Sequence, residues 1–171
     1  MLKHAKGNLI DMAEQGHFDV IVHGCNCQNT MGSGIAKEIR ERYPHAYEAD
    51  TITGELISDP IERLGNYSYV TNQGKIFMGN YFDIVNAYTQ LRYLPRGKDH
   101  FEYESFKLIL RKLAVVYGNK RIGLPYIGMG LAGGDPTRIM PMIEDFANCI
   151  HGYGGSITLV EYKALGIDPK A

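Results

Sequence analysis

Along the chain, short apolar runs alternate with longer amphipathic stretches, most of them closed by glycine or proline, and this pattern predicts an α/β fold. A run at 2–6 reads as an edge strand, after which Gly7, Asn8, Leu9 and Ile10 turn the chain into a short helix over 11–15 that stops at Gly16. Val20, Ile21 and Val22 are apolar without alternation, as expected of a central strand covered on both faces. The stretch 35–43 has helical spacing, 44–49 adds a helical turn, and 51–65, punctuated by Gly54 and Pro60, reads as connection. Residues 66–70 alternate as a strand, 71–74 read as a turn, 75–78 as the returning hairpin partner, and 82–88 as a further strand.

After a loop over 94–99, Phe106, Ile109, Leu110, Leu113 and Val116 share one face of a long helix over 102–117. A short buried strand at 121–124 runs into a second glycine-rich segment. Asp135 and Pro136 then suit the N-cap and first position of a helix whose buried face carries Ile139, Met142, Ile143, Phe146 and Ile150. Pro141 inside that helix predicts a bend or a delayed start. Glycines at 152–155 end it, 156–162 form a last strand, and 163–171 read as a loosely held tail. No internal repeat or second domain is visible, so residues 1–171 are expected to form one domain.

Two places in this pattern carry chemistry. The central strand runs into polar residues, His23, Asn26, Gln28 and Asn29, and then through Met31, Gly32, Ser33 and Gly34 into a helix opening with Ile35 and Ala36. Ligands of α/β sheets lie beyond the carboxyl ends of strands, and helix N-termini offer free N–H groups to anions, so a phosphate-bearing ligand is expected. The strand at 121–124 repeats the arrangement with Tyr126, Ile127, Gly128, Met129, Gly130, Leu131, Ala132, Gly133 and Gly134. Glycine lets backbone amides approach a pyrophosphate as closely as no other residue allows, although tight turns alone would explain the same glycines.

Composition narrows the choices. A total of 171 residues is enough to bury about two thirds of the unfolded surface without staples. With 18 Lys+Arg against 19 Asp+Glu, no basic field exists to gather nucleic acid or a membrane surface. Three cysteines, Cys25, Cys27 and Cys149, form no disulfide framework, and without a signal peptide or long apolar span a cytoplasmic location is expected. His23, Cys25 and Cys27 are zinc-ligand types, but the paired CxxC-like spacing of structural zinc sites is missing, so neither metal nor cofactor is expected.

Four motifs in order, KGNL at 6–9, VIVHGCN at 20–26, MGSGIA at 31–36 and LPYIGMGLAGGD at 124–135, resemble the macro domain family. His23 together with GLAGGD is most similar to the branch containing ADP-ribose-1″-phosphate phosphatases and terminal ADP-ribose hydrolases. The resemblance implies a three-layer α/β/α fold around a mixed, roughly six-stranded sheet, with ADP-ribose or its 1″-phosphate as ligand and ADP-ribosylated macromolecules as further partners. It implies an adenine end at Asn8, Leu9, Ile10 and Tyr162. It implies ribose and phosphate contacts from Gly24, Cys25, Asn26 and the two glycine loops. Asn8 can also be read as a plain helix cap, His23 as a core histidine, Asp135 as an N-cap, and Tyr126 and Tyr162 as core aromatics.

The function expected is hydrolysis of a group from the distal ribose, in the first place the 1″-phosphate, with His23 and Asp135 sharing proton transfer. The alternatives are removal of ADP-ribose from a modified protein or nucleic acid, and a non-catalytic reader. Related enzymes that cleave such bonds carry a lysine on the strand near 84–90, where this chain reads VNAYTQ; Lys98 lies in the loop that follows.

Overall fold

A computed structural model describes residues 1–73 and 81–162 and contains one six-stranded sheet in the order β1-β6-β5-β2-β4-β3. The strands are β1 (Leu2–Gly7), β2 (Val20–Asn26), β3 (Tyr67–Gln73), β4 (Tyr81–Gln90), β5 (Arg121–Leu124) and β6 (Ser156–Tyr162). Five of them are parallel, and only β3 runs antiparallel, as an edge strand on β4. The helices are α1 (Leu9–Glu14), α2 (Gly34–Arg42), α3 (Pro44–Leu56), α4 (Pro60–Arg63), α5 (Tyr103–Tyr117) and α6 (Pro136–Gly152). Among the described residues no helix is long and apolar enough to cross a membrane.

Strand alternation divides the core into two layers. Val20 and Val22 of β2 and Val85 and Ala87 of β4 pack under α5 and α6 with Phe106, Ile109, Leu113, Ile139, Ile143 and Ile150. Ile21, Ile84 and Tyr88 point the other way and join Ile10, Ala13, Ile39 and Ala46 of α1, α2 and α3. These two buried faces account for the unbroken apolar run of the central strand.

Several sequence expectations are corrected. Residues 51–65 are largely helical, because α3 continues to Leu56 and Asp59 caps α4 by accepting from the Ile61 amide. Residues 71–73, expected in a turn, pair with 81–83, so β4 itself is the antiparallel partner of β3. Gly74, the expected strand at 75–78 and the expected tail at 163–171 lie outside the described residues. On α5, Val116 is 54% exposed, and Tyr117 takes the buried place, its hydroxyl donating to Asp83 at 2.7 Å. α6 starts at Pro136 despite Pro141.

The largest correction concerns His23. Strand β2 does not stop at Val22; it continues to Asn26 because its pairing with β4 continues, setting His23 opposite Asn86. His23 is 1% exposed and faces α3. Asn86 Nδ2 donates to Ala46 O and Ser68 Oγ, which leaves Asn86 Oδ1 to accept from His23 Nε2 at 2.6 Å and places the imidazole proton on Nε2. Ser68 Oγ then meets Tyr88 Oη at 3.0 Å, and Tyr88 donates to Asp50 Oδ1 at 2.8 Å. At the end of this chain Asn29 Nδ2 donates to both Asp50 O and Oδ1, and Arg63 donates to Asn29 Oδ1 and Cys27 O. A row of buried polar groups thus ties β2, β4, α3 and α4 to the loop that follows β2.

Two predictions follow from this packing. Leu113→Ala should lose about 2 to 5 kcal/mol in denaturant unfolding, whereas Val116→Ala should stay within about 0.5 kcal/mol; equal losses would put Val116 in the core. Burial pushes the His23 pKa down to about 4, against a smaller opposing effect of the Asn86 hydrogen bond. An unfolded imidazole titrates near 6.5, so between there and about pH 4 the unfolded chain binds more protons and stability falls as pH falls. His23→Gln should flatten that dependence by up to about 3 kcal/mol across the window, at about 1.4 kcal/mol per pH unit. Asp50, whose pKa burial raises, acts in the opposite sense in both proteins and cancels in the comparison. An unchanged slope in the variant would mean that His23 is not the titrating group.

Candidate functional site

Because β1, β6, β5, β2 and β4 are parallel, their carboxyl ends reach the same edge of the sheet, and the cleft lies along that edge. At the β1/β6 side a cavity of about 400 Å³ is walled by Gly7, Asn8, Leu9, Val160 and Tyr162, with Glu38 of α2 at its mouth. Beside it, over β5, β2 and β4, a second cavity of about 320 Å³ is lined by the two glycine loops and the ends of β2 and β4. The cavities share Gly34, Ile35 and Pro125 as lining, so they lie side by side along one groove at that edge.

The first cavity holds Asn8, Leu9 and Tyr162, as the sequence suggested, but not Ile10, which is fully buried between α1 and the sheet. Asn8 is a helix cap in fact: its Oδ1 accepts from the Ile10 and Asp11 amides at 3.0 Å, and its Nδ2 donates to Glu38 Oε1 at 3.0 Å. Glu38 also accepts from Arg42, which is further paired with Asp11 and Glu14. The polar wall of this end is therefore set by ties between α1 and α2, while Tyr162, an exposed aromatic, lines the same cavity.

The second cavity gathers Gly24, Cys25, Asn26, Met31, Gly32, Ser33, Gly34, Ile35 and Ala36 from the first loop and Tyr126, Ile127, Gly128, Gly130, Leu131 and Ala132 from the second. Met129 is not part of the lining; it packs on the core under α5 and α6. α2 opens at this cavity, and its N-cap Ser33 makes no side-chain capping bond, so the free amides of the first turn remain available. Gly34 has φ +58 and Gly130 has no atom within 4 Å of a would-be Cβ, so both stand over open groove. Gly128, by contrast, has φ +76 and lies so close to Phe101 that a Cβ would be 2.4 Å from its ring.

Neither expected proton-transfer residue reaches the lining. His23 is under α3, with Cys25 between it and the groove at 3.7 Å. Asp135 is exposed and turned onto α6, accepting from the Thr137 amide at 2.9 Å and the Thr137 hydroxyl at 2.8 Å, bonds that lower its pKa. Asn26 does line the groove, its side chain held by Thr30 Oγ1 and the Gln28 amide. Cys25 and Cys27 are buried, and burial raises both thiol pKa values, Cys27 to about 12. Among the described residues no group of three His, Cys, Asp or Glu side chains is placed to hold a metal ion.

Sequence reasoning missed Thr89 and Gln90 at the end of β4, Tyr93 and Arg96 in the loop beyond, and Glu38, Pro125, Gly7 and Val160. The signal for Thr89 and Gln90 was the same as for Asn26, polar residues where an apolar strand ends. What hid it was that β4 becomes a neighbour of β2 only in the sheet.

No protein-family model matches the chain. An uncharacterized protein of Enterobacteria phage T4 is 28% identical over 169 residues, which cover 96% of this chain and 99% of that protein. A stretch of 47 residues is 38% identical to an ADP-ribose 1″-phosphate phosphatase of Ajellomyces capsulatus, spanning 28% of this chain and 17% of that enzyme. Among solved structures, the macrodomain of Thermus aquaticus DarG aligns with a TM-score of 0.67 at 21% identity, over 94% of this chain and 97% of that one. Thermosipho africanus DarTG, solved in complex with ADP-ribose, aligns with a TM-score of 0.74 at 13% identity, over 93% of this chain and 41% of that one. With this sheet order, these helices and these structural neighbours, the chain has the macrodomain fold.

Proposed function

We propose that the groove binds ADP-ribose and that the protein hydrolyses ADP-ribose-1″-phosphate to ADP-ribose and inorganic phosphate. The observation that carries the reading is that the two cavities adjoin at the start of α2. An apolar end with Asn8, Glu38 and Tyr162 suits a purine, the open N-terminus of α2 suits a pyrophosphate, and the polar ends of β2 and β4 suit a ribose. The Thermosipho structure, with ADP-ribose bound in a protein of the same fold, supports the choice of ligand.

The reaction follows from what the far end of the groove offers. Its lining, among the described residues, contains no carboxylate and no imidazole. Transfer of a phosphoryl group to water through a loose transition state depends on positioning and on stabilising charge, which backbone amides and Asn26 can supply. Water attacks phosphorus, the bond from phosphorus to the C1″ oxygen breaks, and that oxygen leaves with a proton from solvent. Cleaving ADP-ribose from a side chain or nucleobase asks more of an acid or base, and Lys98 is exposed and outside the lining. The local likeness to a fungal phosphatase points the same way. The missing acid–base groups also favour a second reading, a non-catalytic reader of ADP-ribosylated partners, and phosphate release distinguishes the two.

Calorimetry should show ADP-ribose binding with about 5 to 8 kcal/mol, from the low-micromolar to the submillimolar range. Gly130→Glu should abolish it in a protein that still folds, since its side chain meets only open groove and its charge would oppose the ligand. Heat with a nucleoside triphosphate but none with ADP-ribose would refute the reading. Phosphate release from ADP-ribose-1″-phosphate should persist in EDTA and, in Asp135→Asn, should stay within several-fold of the parent, because Asn caps a helix as well as Asp. A loss of a hundredfold or more in that variant would restore Asp135 to the chemistry.

A further inference from the structure

The loop between β4 and α5, residues 91–100, is closed at its base and pinned to the second glycine loop. Gln90 and Phe101 form an antiparallel bridge, and the Glu102 amide donates to Thr89 O at 2.7 Å. The His100 amide donates to Ala132 O at 2.8 Å, and the Lys98 carbonyl packs so close to Gly133 that a Cβ there would clash with it. Asp99 accepts from the Phe101 amide and the Tyr103 hydroxyl, and that hydroxyl accepts from the Asp135 amide at 2.9 Å. The Arg138 guanidinium lies over the Tyr103 ring at 3.5 Å and braces the same corner. Between these anchors, Tyr93 and Arg96 line the groove.

Arg96 is a cation in the lining with no carboxylate beside it. Among the described residues it makes no hydrogen bond or ion pair, unlike Arg42, Arg63 and Arg121, which are bound to several acceptors each. Its loop leaves from β4, four strands along the sheet from the β1 end where Asn8 lies. A ligand with its base at Asn8 and Tyr162 and its pyrophosphate at α2 would bring its last group to the β4 side.

We propose that Arg96 is the specificity-determining residue of the groove, reading a terminal phosphate monoester on the distal ribose. This rests on the assignment of the groove to ADP-ribose. A guanidinium presents a planar pair of donors that matches two phosphate oxygens, and charge-assisted bonds of this kind are about twice as strong as neutral ones. The loop is held at its ends, and among the described residues the Arg96 side chain has no protein acceptor, so it is available to a ligand.

The test is calorimetry of the full chain and of Arg96→Ala and Arg96→Lys with two ligands, ADP-ribose and ADP-ribose-1″-phosphate. The parent should bind the phosphorylated ligand more tightly. Arg96→Ala should weaken that ligand about tenfold to a hundredfold, leaving ADP-ribose within about threefold, and Arg96→Lys should fall between. Melting temperatures close to the parent's would confirm that the exposed substitution leaves the fold intact. Equal weakening of both ligands would place Arg96 on the shared pyrophosphate and overturn the assignment while sparing the groove. So would a parent that binds both ligands alike, or an Arg96→Ala that binds both as the parent does. A parent that binds neither would overturn the ADP-ribose reading and this assignment with it.

Discussion

Five strands running in one direction impose the main constraint on this molecule: their last residues, Gly7, Tyr162, Leu124, Asn26 and Gln90, come to one edge of the sheet. At that edge the ladder ends, so backbone groups and polar side chains have no strand left to pair with, and helices begin above them. A groove forms there because the next residue after each strand must turn away from the sheet. The two glycine loops widen it by removing side chains where two turns approach each other. The groove lining comes from the strand ends and from the loops that join them to the next helices.

Helix starts along the groove are treated unequally, and the difference has chemical meaning. α1 and α6 carry side-chain caps, Asn8 and Asp135, which satisfy amides that would otherwise seek an anion. α2 carries none. A carboxylate over the start of α6 would repel a phosphate there, whereas the uncapped first turn of α2 lines both cavities through Gly34 and Ile35. Anion binding would restore what the missing cap leaves unpaired.

The first glycine loop buries Cys27 and Met31 in the core and is also held from behind by polar groups. Arg63 and Asn29 link it to α3 and α4, and Asp50, Tyr88, Ser68, Asn86 and His23 continue the hydrogen bonding through the layer between helix and sheet. Removing one member would leave neighbouring polar groups buried and unpaired, which is costly in a low-dielectric interior. One atom of the row, Asp50 Oδ2, already lacks a partner among the described residues, in keeping with the raised pKa of that carboxyl group. Residues as far along the chain as α3 and α4 thus bear on the geometry of the groove without touching it.

The sequence alone determined the α/β class, the central strand, the two glycine loops and most of the groove lining, because these follow from local rules: an unbroken apolar run, glycines after a strand, an amphipathic stretch after the glycines. It did not determine where pairing stops. His23 looked like a strand end since the apolar run ends at Val22, yet ladder bonds to β4 carry the strand four residues further and a polar residue is matched with Asn86 across the sheet. The continuation of α3 beyond residue 49 and the whole of α4 were obscured for a similar reason, as the residues they bury there are polar ones, Asp50 and Arg63, which the apolar pattern does not count. Thr89, Gln90, Tyr93 and Arg96 enter the groove only because β4 lies beside β2, some sixty residues away in the chain, and adjacency of that kind is settled by tertiary pairing, which no local period records.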